Sequence, residues 1–465
     1  MTTVRLYNTM SRQVEDLRPV RPGSVGMYCC GPTVYDYAHI GNLRKYVCDD
    51  ILRRTLEHAG HAVRHVMNVT DIDDKIIKAA PGGVDAIRAY TRTFRDAFFE
   101  DMATLRILTP HVVCDATEHV DAMVALVQRL IDRGLAYESD GSWYFRVAGF
   151  PGYGKLAHLD VSGMMAGARV DVDEYEKGDV RDFALWKARR GDEPYWATPL
   201  GEGRPGWHIE CSAMSMQYLG EVFDIHTGGV DNIFPHHENE IAQSCGATGT
   251  EFCRHWVHNE HLIVEGKKMS KSLGNFFTLR DLLRQGEDPR AIRYLIMSHH
   301  YRAQLNFTRD GLAAATQTLQ RLHQFIDRLQ DGAAALPAGD TGLAERVEQD
   351  KEAFFAALCD DVQTPQAFAR MHELVRDVNA AMSDGVAHRG DVERALAAME
   401  DFDAILDILA HERAVLDSDV ERLIAERARA RAERSFARAD EIRDQLLAQG
   451  IVLEDGPTGT RWRRA

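Results

Sequence analysis

Between residues 23 and 70, the apolar positions change from a two-residue period to a helical period and back again. Val25, Met27 and Cys29 alternate with other residues and end at Gly31-Pro32, which is typical of a strand followed by a turn. A helix with apolar side chains every three or four positions follows, and then a second alternating segment at 63–69. This strand–helix–strand order predicts a βαβ unit and hence a doubly wound parallel α/β sheet.

The rest of the chain divides by changes in pattern. Residues 121–205 are rich in glycine and aromatic residues and predict an insertion of short strands, after which the α/β pattern returns with a helix expected to start at Pro235. From about 310 the chain is helical, with a linker at 331–342. We therefore predict an α/β domain in two halves, 1–120 and 206–315, with an insertion at 121–205 between them. A helical bundle at 316–412 and a small C-terminal domain at 413–465 follow.

Composition narrows the class of protein. The 465 residues are 45 % hydrophobic and 27 % charged, as in globular proteins. No apolar run reaches the roughly 18 residues of a membrane span, and the first residues lack a signal-peptide layout. The eight cysteines form no Cys-x-x-Cys pair, so we expect a reduced, cytoplasmic protein. A net charge of −16 means that any RNA site needs a local basic surface.

Two short strings carry residue types that bind phosphate. In His39-Ile40-Gly41-Asn42, between the first strand and the first helix, the glycine admits a ligand near the backbone and the helix N-terminus attracts phosphate. Lys268-Met269-Ser270-Lys271-Ser272 supplies two point charges and two hydroxyl donors. Taken alone, an ordinary helix start explains the first string better, and most short basic runs are solvated loops.

A third set of residues has the chemistry of a metal site. His236 and Glu240 are four apart on the helix expected after Pro235, so they share a face. With Cys30 and Cys211 they would make a tetrahedral Zn²⁺ shell. Spacing alone leaves other ligands open, namely His208, His226, His237, Cys29, Cys245 and Cys253.

The two phosphate-type strings resemble the HIGH and KMSKS signatures of class I aminoacyl-tRNA synthetases. Asn42 stands where the class signature has its second histidine, and asparagine keeps a donor but lacks a positive charge. From about residue 3 to the C-terminus the chain resembles cysteinyl-tRNA synthetases in particular, most closely at 31–36 (GPTVYD), 68–76 (NVTDIDDKI), 206–214 (GWHIECSAM), 234–240 (FPHHENE) and 450–464. The resemblance implies a Rossmann-like sheet with an inserted connective domain, an α-helical bundle and a small anticodon-binding domain.

The resemblance also implies roles for individual residues. The zinc ligands would be Cys30, Cys211, His236 and Glu240. Because Zn²⁺ prefers a thiolate to a neutral hydroxyl, a bond to sulfur would separate cysteine from serine. The amino-acid pocket would contain Thr70, Trp207 and Asp231, with the aspartate binding the ammonium group. The alternatives are a threonine at a strand end, a tryptophan in the core and an aspartate in a turn. ATP and its transition state would be held by His39, Gly41, Asn42, Lys268 and Lys271.

The C-terminal region is the candidate RNA surface. Arg427 and Arg431 lie in an arginine-rich helical segment, and Trp462 lies among three arginines. Arginine beside an aromatic ring suits unpaired bases, which stack while their phosphates are neutralised. A helix with a solvated arginine face gives the same pattern, and neighbouring acidic residues dilute the charge.

Taken together, the resemblance implies ATP-dependent activation of L-cysteine and its transfer to the 3′-terminal adenosine of tRNA(Cys). It further implies one Zn²⁺ per chain, Mg²⁺ with ATP, and a monomer. The alternative is a cysteine-adenylating ligase of the mycothiol type, which acts on an amino sugar and needs no basic C-terminal region. A third possibility, a catalytically silent RNA- or zinc-binding protein, is disfavoured by the intact string at 268–272.

We expect Lys271→Ala to lower the rate of adenylate formation by orders of magnitude with little change in cysteine affinity, because this lysine would neutralise charge only in the transition state. Cysteine-dependent ATP–pyrophosphate exchange measures the rate. A near-normal turnover number would refute the role.

Overall fold

The structure is a computed structural model that describes residues 2–159, 181–269, 274–411, 418–448, 451–456 and 459–464. It divides into two compact units, Met1–Ala410 and His411–Ala465. Lys271 lies outside the described residues, as do its neighbours in 270–273. None of the helices in the described ranges combines the length and apolarity that crossing a bilayer requires.

The strands are short and are distributed along the first unit as far as Phe307, with a further pair at the end of the second unit. They are β1 (Arg5–Asn8), β2 (Gln13–Asp16), β3 (Ser24–Cys29), β4 (Ala62–Val69), β5 (Val112–Asp115), β6 (Ala136–Ser139), β7 (Ser142–Phe145), β8 (Phe183–Ala188), β9 (Trp196–Thr198), β10 (Gly201–Pro205), β11 (Phe223–Gly229), β12 (Cys253–Asn259), β13 (Leu262–Val264), β14 (Lys267–Lys268), β15 (Leu305–Phe307), β16 (Ile451–Gly456) and β17 (Gly459–Arg464).

Between residues 309 and 406 the first unit is almost entirely helical, which agrees with the predicted bundle. They are α1 (Ile40–His58), α2 (Asp74–Ala79), α3 (Val84–Thr104), α4 (Val120–Asp132), α5 (Trp207–Leu219), α6 (Glu238–Thr248), α7 (Leu279–Arg284), α8 (Pro289–Met297), α9 (Arg309–Gly332), α10 (Gly342–Cys359), α11 (Thr364–Ser383), α12 (Arg389–Leu406), α13 (Ser418–Ala432) and α14 (Phe436–Ala448).

The centre of the first unit is a five-stranded parallel sheet in the order β12-β11-β3-β4-β5. The strand order reverses between β11 and β3, so the loops at their carboxyl ends diverge and leave a crevice for a ligand. This is the doubly wound parallel α/β sheet that the sequence pattern predicts. The insertion supplies a separate antiparallel sheet, β6-β7-β8-β10-β9.

The side chains of β3 alternate between two hydrophobic cores, one on each face of the sheet. Val25, Met27 and Cys29 pack with α1 and the helical bundle, whereas Tyr28 and Cys30 pack with α4, α5 and the insertion. Successive side chains of a strand point to opposite faces, which explains the division. Cys30, the first residue after β3, is thereby directed toward α5 at the carboxyl edge of the sheet.

The helix that we expected to begin at Pro235 begins later. Regular α6 starts at Glu238 and is preceded by a wider turn over Ile233–His237, in which Phe234 is extended with φ −137° and ψ 130°. Proline lacks an N–H and restricts the residue before it, which disfavours a continuous helix through this segment. His236 and His237 therefore lie on a turn that leads into α6.

Helix α1 is buried around most of its circumference, polar residues included. Arg44 is 1 % exposed and donates to the carbonyls of Glu260, His261 and Ala303. Asp50 is fully buried and accepts from Arg293 Nη2 at 2.5 Å and from Arg54 Nε at 2.9 Å. These pairs tie the first helix of the sheet domain to segments from the second half of the unit.

We expect Arg293→Ala to lower the free energy of unfolding by about 3–5 kcal/mol, because it leaves the buried Asp50 charge without its closest partner. Both side chains of this pair are fully buried. Urea denaturation followed by circular dichroism provides the measurement.

Arg284→Ala is the matched control. Arg284 is 74 % exposed and pairs with Asp281 at 3.3 Å. Pairs this exposed contribute about 0–1 kcal/mol, so the control should unfold close to the native midpoint. Equal losses of unfolding free energy in the two variants would show that the buried pair stabilises the fold no more than the exposed pair.

Candidate active site and metal centre

Cys30, Cys211, His236 and Glu240 come together at the carboxyl edge of the sheet. Cys30 follows β3, Cys211 lies in the first half of α5, and the other two come from the turn before α6 and from α6 itself. Cys30 Sγ is 3.9 Å from both Cys211 Sγ and Glu240 Oε1, and His236 Nε2 is 3.1 Å from the same carboxylate oxygen. All four are buried, with one potential ligand atom each within 4.8 Å of the others.

A second set of four shares two of these residues. His226 Nε2 lies 2.8 Å from Glu240 Oε2, and His237 Nε2 lies 3.3 Å from Cys30 Sγ. Both histidines were among the ligands that spacing left open. The structure therefore brings together two overlapping sets, joined at Cys30 and Glu240. Among the described residues, Cys29, Cys245 and Cys253 belong to neither set.

Further side chains orient these ligands from outside. His237 Nδ1 lies 2.8 Å from His258 Nε2, and His258 Nδ1 lies 2.7 Å from Thr9 Oγ1. His208 Nδ1 lies 2.9 Å from His236 Nδ1. Such outer contacts fix the ring orientation of a histidine ligand. Sequence reasoning missed His258 and Thr9, because β12 and the N-terminal segment meet only in the folded chain.

Burial dominates the electrostatics of the cluster. It raises the pKa of Glu240 to about 8 and lowers the pKa of His236 to about 3. The hydrogen bond with Cys30, followed by burial, raises the pKa of the Cys211 thiol, and burial raises that of Cys30. A low-dielectric site that disfavours its own thiolates and carboxylate becomes favourable to them when a cation is added. This donor set of sulfur, nitrogen and oxygen suits zinc.

The start of α1 shows how the first phosphate-type string is folded. His39 is the N-cap residue, and its Nδ1 accepts from the backbone N–H of Asn42 at 3.1 Å. The Asn42 side-chain oxygen accepts from the His39 N–H at 3.2 Å. Because Nδ1 is an acceptor, the neutral ring carries its proton on Nε2 and can donate from there. Burial lowers the pKa of His39, which favours that neutral form.

The second phosphate-type string is described only in part. Lys268 is exposed on β14, and its carbonyl accepts from Asn275 Nδ2 at 3.2 Å. Met269 lies close to the other string, since a Cβ added to Gly41 would be 3.3 Å from its methyl carbon. The two strings therefore meet in space at Gly41 and Met269.

Of the three predicted pocket residues, Trp207 contacts the cluster and Thr70 contacts a neighbour of Cys211. Trp207 is 37 % exposed and stacks on His236 with ring centroids 4.2 Å apart. Thr70 Oγ1 donates to the buried carboxyl of Glu210 at 2.9 Å, beside Cys211. Burial raises the Glu210 pKa well above its usual value. Asp231 follows β11, and its carboxylate packs against the backbone of Gly229. A Cβ added to Gly229 would lie 2.2 Å from Asp231 Oδ1.

Comparison with known proteins decides the family. Residues 16–317 match the family described as tRNA synthetases class I (C) catalytic domain. Residues 353–410 match the DALR domain, and 413–463 match the cysteinyl-tRNA ligase anticodon binding domain. The chain belongs to the cysteine–tRNA ligase family of class I synthetases.

Relatives of this family resemble the chain over its whole length. It is 52 % identical to the cysteine–tRNA ligase of Solibacter usitatus (strain Ellin6076), with 99 % of each chain covered. It is 47 % identical to that of Koribacter versatilis (strain Ellin345), again with 99 % of each covered. The Mycobacterium tuberculosis methionyl-tRNA synthetase in complex with methionyl-adenylate shares the fold, with a TM-score of 0.63 at 15 % identity over 83 % of this chain and 90 % of that one.

The second unit of this family member contains α13, α14 and the antiparallel hairpin β16–β17. Arg431 is exposed on α13, whereas Arg427 is only 7 % exposed. Trp462 lies on β17 opposite Leu453, and its side chain lies outside the described residues. Of the three predicted RNA contacts, Arg431 is therefore the one whose side chain the structure presents to solvent, and the burial of Arg427 argues for a packing role.

We expect the metal dissociation constant of the stripped protein to fall by about 100-fold or more between pH 6 and pH 8. In the metal-free cluster Glu240 keeps its proton up to a pKa of about 8 and the thiols keep theirs. A metal ion must displace these protons, so its affinity rises with pH by about tenfold per proton and pH unit. Competition titration of zinc against a chromogenic chelator measures the constant.

Two serine variants locate the ion in the same titration. Cys211→Ser should weaken zinc binding strongly. Cys114→Ser is the control, because Cys114 is also buried at 1 % exposure but donates to the Met67 carbonyl at 3.3 Å. Equal zinc affinity in both variants would exclude Cys211 as a ligand.

Proposed function

We propose that this protein is a cysteine–tRNA ligase, which activates L-cysteine with ATP and transfers it to the terminal adenosine of tRNA(Cys). The observation that carries the proposal is the buried cluster of Cys30, Cys211, His236 and Glu240, set beside the start of α1 in a chain with this family's domains. A synthetase with an anticodon-binding domain uses tRNA, ATP and an amino acid. The identity of that amino acid is argued from the cluster.

We assign Cys30, Cys211, His236 and Glu240 as the residues that hold one Zn²⁺. This set has two thiolates, whereas the overlapping set with His226 and His237 has one, and soft ligands favour zinc. Bound there, zinc supplies a Lewis acid that prefers a thiolate to a neutral hydroxyl. His226 and His237 then orient two of the zinc ligands. His226 contacts Glu240 Oε2, and His237 contacts Cys30 Sγ.

The remaining pocket residues bind the rest of the amino acid. Asp231, at the end of β11, offers a carboxylate to the substrate ammonium group. Trp207, which stacks on His236, forms one wall of the pocket beside the cluster. Thr70 is a positioning residue, because its hydroxyl is engaged with Glu210, the neighbour of Cys211.

The start of α1 and the lysine string bind ATP, and Mg²⁺ accompanies the ATP phosphates. His39 donates from Nε2 to a phosphate oxygen, and its capping bond to Asn42 keeps Nδ1 in the acceptor state. Asn42 thus holds the orientation of His39, and Gly41 lets the phosphate approach the helix N-terminus. The cysteine carboxylate attacks the α-phosphorus in line and pyrophosphate leaves, while Lys268 and Lys271 neutralise the charge that develops.

The second unit would read the anticodon, with Arg431 and Trp462 as candidate contacts. A monomeric state and a cytoplasmic location stay predictions. The mycothiol-type alternative, transfer to an amino sugar, is not favoured, because 413–463 matches an anticodon binding domain for which such a ligase has no use.

We expect the zinc-loaded protein to charge total tRNA with cysteine and to show ATP–pyrophosphate exchange with cysteine but not with serine. Cys211→Ser should raise the cysteine KM by about 100-fold or more while the ATP KM changes little, because a missing interaction with a buried polar group costs discrimination of this order. Exchange assays over both substrates measure the two constants.

The same assays can overturn the proposal. Metal-stripped protein that still activates cysteine and still refuses serine would remove zinc from recognition. Equal losses for cysteine and ATP in Cys211→Ser would point to a folding defect. Exchange without transfer to tRNA, together with cysteine-dependent AMP release on an amino sugar, would favour the mycothiol-type ligase.

A further inference from the structure

An exposed aromatic surface borders the active site and has no role in the chemistry described above. Among the described residues of the first unit, the exposed large apolar side chains are Tyr35, Tyr37, Leu159, Trp207 and Val386. Tyr35 and Tyr37 are 38 % and 39 % exposed and belong to the segment that joins Cys30 to His39. Two aromatic rings that are partly exposed and close together can stack on the bases of an unpaired nucleic-acid strand.

We propose that Tyr35 and Tyr37 form a stacking surface for the unpaired 3′ end of the tRNA, a role that rests on the proposed function. We call these two residues, with Lys75 and Arg280, the tyrosine platform. Unpaired nucleotides are bound by aromatic rings that stack on bases and by cations that neutralise phosphates. The platform offers both.

Each tyrosine ring is held by a cation. Lys75 Nζ lies 5.0 Å from the centre of the Tyr35 ring, and the Arg280 guanidinium lies 5.3 Å from the centre of the Tyr37 ring. Phe94 meets Tyr37 edge-on at 5.2 Å between centroids. Tyr90 donates from its hydroxyl to the Tyr35 carbonyl at 2.7 Å. The rings are thus supported from the protein side while part of each remains exposed.

The two cations contribute differently. Arg280 pairs with Glu100 at 2.6 Å and with Asp101 at 3.2 Å, so its charge is balanced and it serves mainly to hold Tyr37. Lys75 is exposed, and within the described ranges no carboxylate lies at ion-pair distance from its Nζ. Asp74 is next to it in the sequence but pairs with Lys187 and Arg204. Lys75 therefore supplies the positive charge available to a phosphate.

The platform is fixed to both ends of the reaction site. Tyr37 precedes His39 by two residues, a distance of about 7 Å along an extended chain. His39 pairs with Thr278, two residues before Arg280. On the other side, Thr33 pairs with Thr70, a predicted pocket residue. A strand of RNA on this surface would have its terminal ribose within reach of the adenylate.

The experiment compares two RNAs on four proteins. The RNAs are tRNA(Cys) and the same transcript without its unpaired 3′ nucleotides, and the readout is the dissociation constant of each. The double variant Tyr35→Ala/Tyr37→Ala is measured against wild type, against Tyr35→Phe/Tyr37→Phe, and against Tyr195→Ala. Tyr195 is a matched control, because the Arg189 guanidinium likewise lies 4.0 Å from the centre of its ring.

We expect wild type to bind the full-length tRNA roughly ten- to a hundredfold more tightly than the shortened one, the range expected for stacking of one or two bases. The alanine double variant should bind both RNAs with nearly equal affinity, while the phenylalanine variant and Tyr195→Ala keep the difference. Cysteine-dependent ATP–pyrophosphate exchange in the alanine variant should stay within about twofold of wild type, with the loss confined to transfer.

Two outcomes would overturn the inference. The alanine variant could retain the full difference between the RNAs, which would exclude stacking on these rings. It could also lose pyrophosphate exchange as much as transfer, which would mean that the rings bind ATP or support the fold. Failure of the proposed function is a separate result, because wild type itself would then charge no tRNA.

Discussion

The structure of the site depends on a carboxylate that the fold removes from water. Glu240 is fully buried, and the groups around it are thiols and imidazoles that burial also keeps neutral. An ionised carboxylate in such surroundings requires a cation. The histidines on both sides of Glu240, the two cysteines and the tryptophan over His236 together form one candidate metal site.

This arrangement is possible because parallel strands end at one edge. Cys30, Thr70 and Asp231 follow three different strands of the same sheet, and α5 and α6 bring Cys211 and Glu240 to that edge. The proposed nucleotide end of the site begins nine residues after Cys30, at His39. The specific chemistry of the family thus occupies the position where doubly wound sheets bind ligands.

The sequence predicted the elements well where periodicity was strong and contacts were local. The βαβ unit, the insertion of short strands and the helical bundle follow from patterns within a few tens of residues. The start of α6 was misplaced because proline suits a first helical turn, and the extended Phe234 before it could not be seen. The zinc set came from family resemblance, since the ligands meet only in the folded chain.

Other features could not be predicted because they depend on which polar residues become buried. The helical period of α1 indicated one apolar face but not that Arg44 and Asp50 on other faces would also be enclosed. Arg427 was predicted to face RNA on composition, yet most of its side chain is covered. Likewise, Tyr35 and Lys75 are forty residues apart, and only the structure places the amine over the ring.

The enclosure of α1 has a mechanical consequence. Asp50 and Arg54 join the middle of this helix to Arg293 and to Asp407, just beyond α12 of the bundle. Its first residue follows His39 directly. Because a helix of this length spans roughly 28 Å as one hydrogen-bonded element, α1 directly links the ion pairs at Asp50 and Arg54 to the His39 imidazole at its N-cap.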